Sequence, residues 1–493
     1  MDDRSDRLTI LSNRLPVVLK RRGSKWQAEP GSGGLVQAMN PILCEDGGCW
    51  VGWPGVTMEE GEGWEGALTR VGADSGYELE PVVLSQNELE RFYEGYANSV
   101  VWPLFHGFPD RCTFDPGFFE AYGGVNEKFA DVVSERVDDD SFIWVHDYHL
   151  FEVARRLRQR GHVGRLAFYL HIPFPSVENF SKLPWREQLL SDLLAYDLIG
   201  FQTERDLRNF GRAVEAHDVA VVTGKDGGAL HLARRGRAIE AGAFPIGIDY
   251  EDFAGRAATD EVTRKVAKLQ SDIGPYQVLL GVDRLDYSKG LLQRLRAYEM
   301  ALENHPDLRE EVVFFQLVVP SRENVEEYAA LKREFDRIVG RINGRFSTAS
   351  WQPIQYLYNR VDPVELSALY RLASVGLVTP LRDGMNLVSK EYCASQVEGD
   401  GALVLSEFAG AYEQLNEGAL VVNPYDTEET ARAIYEAINM APVERRRRME
   451  QIQDILRRTD VFWWAQQFLL RARAVGRRPD GVIGLETAGR TAG

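Results

Sequence analysis

The sequence predicts an α/β protein: two doubly wound domains of similar size, each a parallel sheet with helices on both faces, set against each other across a cleft. Three observations lead there. The chain has 493 residues, more than one hydrophobic core usually organises. Short apolar runs rich in β-branched residues recur along it, separated by amphipathic stretches, and strands alternating with helices build covered parallel sheets. The series breaks at the short apolar link "AFPIGIDY" (Ala243–Tyr250), after which a fresh strand opens in "VLLGVDRLDYSKG".

In chain order, the first domain (residues 1–245) is expected to take strands from Leu8–Leu11, Phe142–His146, Leu166–His171 and Asp197–Phe201, with a helix over Asn126–Arg136. The second (residues 246–460) takes strands from Val278–Val282, Val312–Val319, Val375–Thr379, Leu403–Leu405 and Leu420–Val422. Helices are expected over Ser288–Asn304 and Thr427–Met440. "VFWWAQQFLLR" (Val461–Arg471) carries too many large rings for a free end, so residues 461–476 are expected to form a helix packed back across the boundary. The polar, Gly-rich residues 477–493 read as a flexible tail.

Lys plus Arg number 57 and Asp plus Glu 74, a formal net charge of -17, which at long range opposes nucleic acid and acidic membranes as partners. An anionic substrate must then be held by local cations, so individual Arg and Lys residues at strand ends matter more than the total. The segment Met1 to Arg7 is charged, without the apolar stretch of a secretory signal, and no apolar run reaches membrane-spanning length; a reducing, cytoplasmic location is expected. Of Cys44, Cys49, Cys112 and Cys393 only the first two are close, with no second pair at zinc spacing, so all four read as small buried apolar residues. Arg445–Arg448 fan around a helix flanked by Glu444 and Glu450, which reads as a solvated face. Asp138–Asp140 precede a strand instead of following one and read as a solvated turn; no metal is required.

In open parallel sheets ligands bind beyond the carboxyl ends of the strands. After Leu8–Leu11, "SNRLP" delivers Arg14, and "GSGGL" (Gly31 to Leu35) opens a helix whose free N–H groups suit an anion or a sugar, although many such turns bind nothing. After Phe142–His146, "HDYHL" offers Asp147 as an acceptor for a ligand hydroxyl or for backbone N–H groups; the H-E-x-x-H metal pattern is absent. His171, in "HIPFPS", is either a structural histidine or a ligand contact. After Val278–Val282, "DRLDYSKG" brings Arg284 and Lys289 to one turn, where two cations can neutralise a leaving diphosphate; the bland reading is a surface pair. "PSRE" delivers Arg322 in the same way. In "PLRDGMNLVSKEYCASQ", Asp383 can meet sugar hydroxyls, Gly384–Leu387 are expected to form the first turn of a helix, and Glu391, two turns on, suits a ribose diol. The alternative there is a capping Asp on an ordinary helix. Tyr93, Tyr96, Trp102, Trp50 and Trp53 lie beside Gly and Pro, which suits flat rings placed against sugar faces, with core packing as the default.

Taken together, "LSNRLP", "GGL", "WVGWPG", "YANSVVWPLFH", "VHDYHL", "HIPFPS", "GFQT", "GVDRLDYSKG", "VVPSRE" and "RDGMNLVSKEY" resemble the trehalose-6-phosphate synthases, in the family's order, from about Leu8 to about Leu470. The resemblance implies a GT-B architecture of two Rossmann-like domains and a retaining transfer of glucose from a nucleotide-glucose to glucose 6-phosphate. It implies that Arg14, Tyr93, Trp102 and Arg322 hold glucose 6-phosphate and that Asp147 meets the acceptor's hydroxyls. It places Gly34, Arg284 and Lys289 on the donor diphosphate, His171 and Asp383 on the transferred glucose, Met385, Asn386 and Leu387 on the donor through their amides, and Glu391 on the ribose. Arg284, Lys289, Asp383, His171 and Asp147 form the implied catalytic set; replacing Arg284 or Lys289 with Ala is expected to lower turnover strongly with little loss of fold. The implied chemistry is a front-face displacement in which the departing phosphate takes the acceptor's proton. No cofactor or metal is expected, and UDP-, ADP- and GDP-glucose stay open as donors. A homo-oligomer is expected. Two other readings stand beside this one: another GT-B transferase acting on a sugar phosphate, and a catalytically silent sugar-phosphate sensor.

Overall fold

The protein is described by a computed structural model covering residues 7–22, 25–31, 34–61, 63–138, 141–321 and 326–475. Arg322, Asp139, Asp140 and the tail from residue 477 lie outside the described residues.

A nine-stranded sheet runs, in spatial order, Glu78–Pro81, Cys49–Trp53, Leu8–Arg14, Phe142–His146, Leu166–Tyr169, Leu198–Phe201, Arg237–Ala243, Ala229–Arg234 and Val221–Asp226. Its first seven strands are parallel, and the last two are added by antiparallel pairing, so that only Ala229–Arg234 runs against the rest. A second, six-stranded and wholly parallel sheet runs Ile354–Tyr358, Val312–Val319, Gln277–Arg284, Val375–Val378, Ala402–Ser406 and Leu420–Val422. The central strands, such as Phe142–His146, are buried throughout, as strands covered on both faces must be.

Each sheet has one place where successive strands begin to be laid down on the opposite side. In the first it lies between Leu8–Arg14 and Phe142–His146, in the second between Gln277–Arg284 and Val375–Val378. Loops leaving neighbouring strands there diverge to opposite faces and open a crevice. Arg14 and Asp147 stand at the first crevice, Arg284 and Asp383 at the second.

The final helix, Val461–Ala474, packs on the first sheet: Trp464 and Phe468 lie against Trp144, with ring centroids 5.3 and 4.3 Å apart, and Arg471 pairs with Glu240. Close to it, Gly247 of the linking segment is pressed so tightly against Asp460 that a Cβ there would stand 2.3 Å from the Asp460 carbonyl carbon.

Several sequence expectations are corrected. Trp50 and Trp53 belong to a buried strand, not a loop; Trp50 Nε1 donates to Ser12 Oγ at 2.8 Å and Trp53 Nε1 to Val56 O at 2.8 Å. Tyr96 is fully buried in the segment Leu89–Val101, which is wound as a π-helix. Cys44 is exposed and Cys112 half-buried, so only Cys49 and Cys393 behave as core residues. The helix read over Asn126–Arg136 starts earlier, at Pro116, capped by Asp115. Arg445 is not simply solvated: its guanidinium donates to the carbonyls of Ala437 and Ile438, while Arg446 and Arg447 stay exposed.

Candidate active site

Between the two sheets lies a cavity of about 1030 Å³ lined from both sides. Arg14, Tyr93 and Asp147 come from the first half; Arg284 and Glu391 come from the second. Arg14 and Arg284 are both exposed. Among the described residues neither has a carboxylate within ion-pair distance. Each is steadied by an aromatic face instead: the Arg14 guanidinium sits 4.5 Å from the Trp53 ring centroid, and that of Arg284 5.6 Å from the ring of Trp102, which lies buried behind it. Two pre-positioned cations on opposite walls, with no carboxylate partner among the described residues, are suited to two separate anionic groups.

Asp147 ends the first crevice in a left-handed conformation (φ 73°), which turns its carboxylate back over the strand end, where Oδ1 accepts from the His171 N–H at 3.3 Å. Enclosure by protein raises its carboxyl to about 7, against the opposing pull of the Tyr148 and His171 N–H groups and of Arg284. His171 is pushed down to about 3 by burial, so its imidazole is neutral. Glu391 is raised by burial, with Tyr370 donating to it at 2.7 Å and the Arg256 charge opposing the rise.

Lys289 is not open to the cavity. Its Nζ donates to Asp383 Oδ2 at 2.6 Å, and both side chains are largely buried. Burial alone would raise the Asp383 carboxyl; the Lys289 charge and hydrogen bond, with His106 and Asn386, overturn this and hold it below its ordinary value. Gly384–Leu387 do not form a first helical turn. The helix is Leu387–Ala394, and Asn386 is its cap, at φ 74° with Oδ1 accepting from Ser389 N at 3.2 Å. Asp383–Asn386 are therefore a loop, with Met385 buried, and this loop is packed against the other half: a Cβ on Gly384 would meet His171 O at 2.1 Å. Gly34 opens the helix Gly34–Asp46, and its neighbours Leu35 and Val36 reach the cavity wall.

Sequence reasoning missed several lining groups. Arg256 and Arg360 add cations on the second half, and His146 packs behind the wall from the first with no surface of its own exposed. His146 had stood in "HDYHL" beside Asp147; Arg256 and Arg360 lay in helical or loop context that nothing distinguished. Lys390, in the same motif as Asp383, is fully buried, and its ammonium donates to Ile246 O at 2.7 Å and Gln414 Oε1 at 2.6 Å. Burial lowers it to about 7. Further cross-cleft ties are Arg382 to Asp206 at 3.3 Å and Glu413, whose carboxylate accepts from the N–H groups of Glu204 and Arg205 at 3.0 and 3.3 Å. Among the described residues no group of three or more His, Cys, Asp or Glu converges as a metal centre would, and no helix is long and apolar enough to cross a membrane.

Two doubly wound sheets whose switch points face one shared cavity form the GT-B architecture. The chain belongs to glycosyltransferase family 20, which matches residues 6–474. It is 43% identical over 475 residues to the bifunctional trehalose-6-phosphate synthase/phosphatase of Thermoproteus tenax, covering 94% of this chain and 63% of that one, so the chain spans less than two thirds of that relative. Its fold matches the crystal structure of a UDP-forming alpha,alpha-trehalose-phosphate synthase from Burkholderia xenovorans in complex with glucose-6-phosphate, with a TM-score of 0.85 and 35% identity, covering 95% of this chain and 100% of the other. A trehalose-6-phosphate structure from E. coli, bound with UDP-2-fluoro glucose, matches with a TM-score of 0.85 and 36% identity over 95% and 99% of the two chains.

Proposed function

We propose that the chain is a retaining glucosyltransferase that moves glucose from a nucleotide-glucose to glucose 6-phosphate, giving alpha,alpha-trehalose 6-phosphate and a nucleoside diphosphate. The observation that carries this reading is the pair Arg14 and Arg284: exposed cations at the switch points of opposite sheets, sharing one cavity. The first half, residues 1–245, takes the acceptor, with Arg14 and Tyr93 at its phosphate, Trp102 beside it and Asp147 at its hydroxyls; Arg322, from the second half of the chain, joins the phosphate site in the same reading. The second half, residues 246–460, takes the donor. The donor we favour is UDP-glucose, because the Burkholderia relative is UDP-forming and the E. coli structure holds UDP-2-fluoro glucose.

In this reaction the bond from the anomeric carbon to the diphosphate oxygen breaks, and a bond to the acceptor oxygen forms on the same face. The acceptor's proton passes to the departing phosphate oxygen, so no protein carboxylate need act as a nucleophile. Arg284 stabilises the charge that grows on the leaving group, and Lys289 joins it when the donor displaces Asp383 from the ammonium. Asp383, released in the same step, turns to hydroxyls of the glucose, as does His171. Gly34 brings its backbone close to the diphosphate, the amides of Met385, Asn386 and Leu387 complete the donor site, and Glu391 accepts from the ribose. The protein's contribution is orientation and pre-set electrostatics. A homo-oligomer working in the cytoplasm without a cofactor belongs to the same reading; light scattering after size-exclusion chromatography checks the assembly.

The test is product analysis with glucose 6-phosphate and UDP-, ADP- or GDP-glucose in turn. Trehalose 6-phosphate with both anomeric centres in the alpha configuration is expected. Transfer only to fructose 6-phosphate or to a glucan, or none at all despite binding of both ligands, would overturn the reading.

A further inference from the structure

His146 ends the strand Phe142–His146 with no exposed surface, and its Nδ1 lies 3.1 Å from Nε2 of His171. The rings stack at 29° with centroids 5.4 Å apart, and Trp144 and Tyr169 hold the His146 ring from behind, at 4.6 and 6.4 Å. Burial depresses both imidazoles, so neither is charged, and a single proton lies between Nδ1 of one and Nε2 of the other. The remaining nitrogen of His146 decides on which side that proton sits. Nε2 of His146 is enclosed and has no hydrogen-bond partner among the described residues. A proton there would be a buried orphan donor, whereas a bare lone pair is the cheaper state. On this inventory of partners His146 carries its proton on Nδ1 and donates to His171 Nε2, and the proton of His171 is left on Nδ1.

We propose that His146 is a positioning residue: by holding His171 in the Nδ1–H tautomer it makes His171 a hydrogen-bond donor to one hydroxyl oxygen of the glucose being transferred, and so helps select a hexose that bears an oxygen at that position. The proposal rests on the glucosyl-transfer reading for its consequence, but not for the tautomer itself. It also gives a physical reason for the pair being neutral. A charged imidazolium at this place would oppose the positive charge that develops at the anomeric carbon, while a neutral donor orients the sugar without that penalty.

Two measurements test it on the whole chain. Selective 15N-histidine labelling reads the tautomer in the resting enzyme, with the His171 signal assigned from a His171→Gln sample. An unprotonated Nε2 on His171 is expected, and a protonated one overturns the proposal whatever the enzyme's substrate proves to be. The second measurement compares His146→Phe, which keeps the ring packing and removes the donor, with His146→Asn, whose amide N–H can stand where Nδ1 was. The Phe variant is expected to lose about tenfold in kcat/KM for nucleotide-glucose, and the Asn variant to recover most of it, the size of one hydrogen bond. KM for glucose 6-phosphate should be unchanged in both. In a series of donors each lacking one glucose hydroxyl, the ratio of wild type to Phe variant should fall to near unity for a single position. An undiminished ratio across the whole series, or an equal loss in Phe and Asn variants that remain folded, overturns the proposal. Absence of transfer by the wild-type enzyme sinks the glucosyl-transfer reading, and the tautomer measurement still decides this one.

Discussion

Lys289 Nζ and Asp383 Oδ2 meet at 2.6 Å, joining the turn after one strand of the second sheet to the turn after its neighbour across the switch point. The pair makes two groups proposed for the donor site into each other's partner. Their side chains are 11% and 12% exposed, so breaking the pair by removing one member leaves a largely buried charge. Lys289→Ala is therefore expected to cost stability as well as turnover, on the order of 3 kcal/mol by urea denaturation. The sequence led to the opposite expectation, that the fold would be little affected, and the denaturation measurement decides between the two. The sign with pH follows from Asp383, whose carboxyl is held below its ordinary value. That stabilisation is present above the ordinary carboxylate range and lost as pH falls through the depressed value. The acid-unfolding midpoint of Lys289→Ala should accordingly move to higher pH.

Arg284 has no such partner among the described residues and is exposed, so Arg284→Ala is expected to keep its thermal midpoint within a few degrees while kcat falls by about 100-fold or more, the scale of one electrostatic contact to a leaving group. Differential scanning calorimetry and steady-state kinetics on the same preparation check both halves. A near-normal kcat would remove Arg284 from the leaving-group role.

Arg14 is expected to act on the acceptor's phosphate alone. Arg14→Ala should raise KM for glucose 6-phosphate by about 10- to 100-fold, as a lost charge-assisted hydrogen bond does, and should narrow the preference for glucose 6-phosphate over glucose by the same factor. KM for nucleotide-glucose should hardly move. Equal effects on both substrates would place Arg14 elsewhere.

Asp147, with its carboxyl raised to about 7, should give the pH profile of kcat/KM for the acceptor a limb near that value, activity rising as the carboxylate forms and can accept from a hydroxyl. The stability sign runs the other way. A carboxyl raised on folding binds its proton more tightly in the native state, so its contribution falls as pH climbs from the ordinary Asp range to about 7 and is flat above. Asp147→Asn should abolish the activity limb and flatten that part of the stability curve. A limb that survives in the Asn variant belongs to another group.

Gly384→Ala tests the packing of the donor loop on the first half. The added methyl would stand 2.1 Å from His171 O, an impossible approach, so the loop must withdraw. Small-angle scattering should show a more open molecule, and KM for nucleotide-glucose should rise with little change in the thermal midpoint. A variant as compact and as active as the parent would show that the loop is free to shift.

Much of the fold is legible because buried parallel strands are written as continuous apolar runs. Phe142–His146 and Val312–Val319 fall where the sequence puts them. Ile354–Tyr358 and Val221–Asp226 lie at sheet edges, and they and the neighbouring Ala229–Arg234 and Arg237–Ala243 were missed because they mix polar with apolar residues. The helix start at Leu387 was misread because Asn386 takes a left-handed conformation, set by its side-chain cap and not by any periodicity.

The sequence alone determined which groups stand at the ends of which strands. Burial periodicity marks the strands, and the residue following each strand is fixed covalently, so Arg14, Asp147, Arg284 and Asp383 could be named without coordinates. Only the tertiary structure decided how those groups face one another: that Lys289 closes on Asp383, that His146 sets His171, and that Arg256 and Arg360 share the cavity with Glu391. These depend on side-chain direction, on burial and on contacts between segments distant in the chain, such as Lys289 with Asp383 and Arg382 with Asp206. No local pattern encodes them, because the energy that fixes them exists only once both sheets are packed.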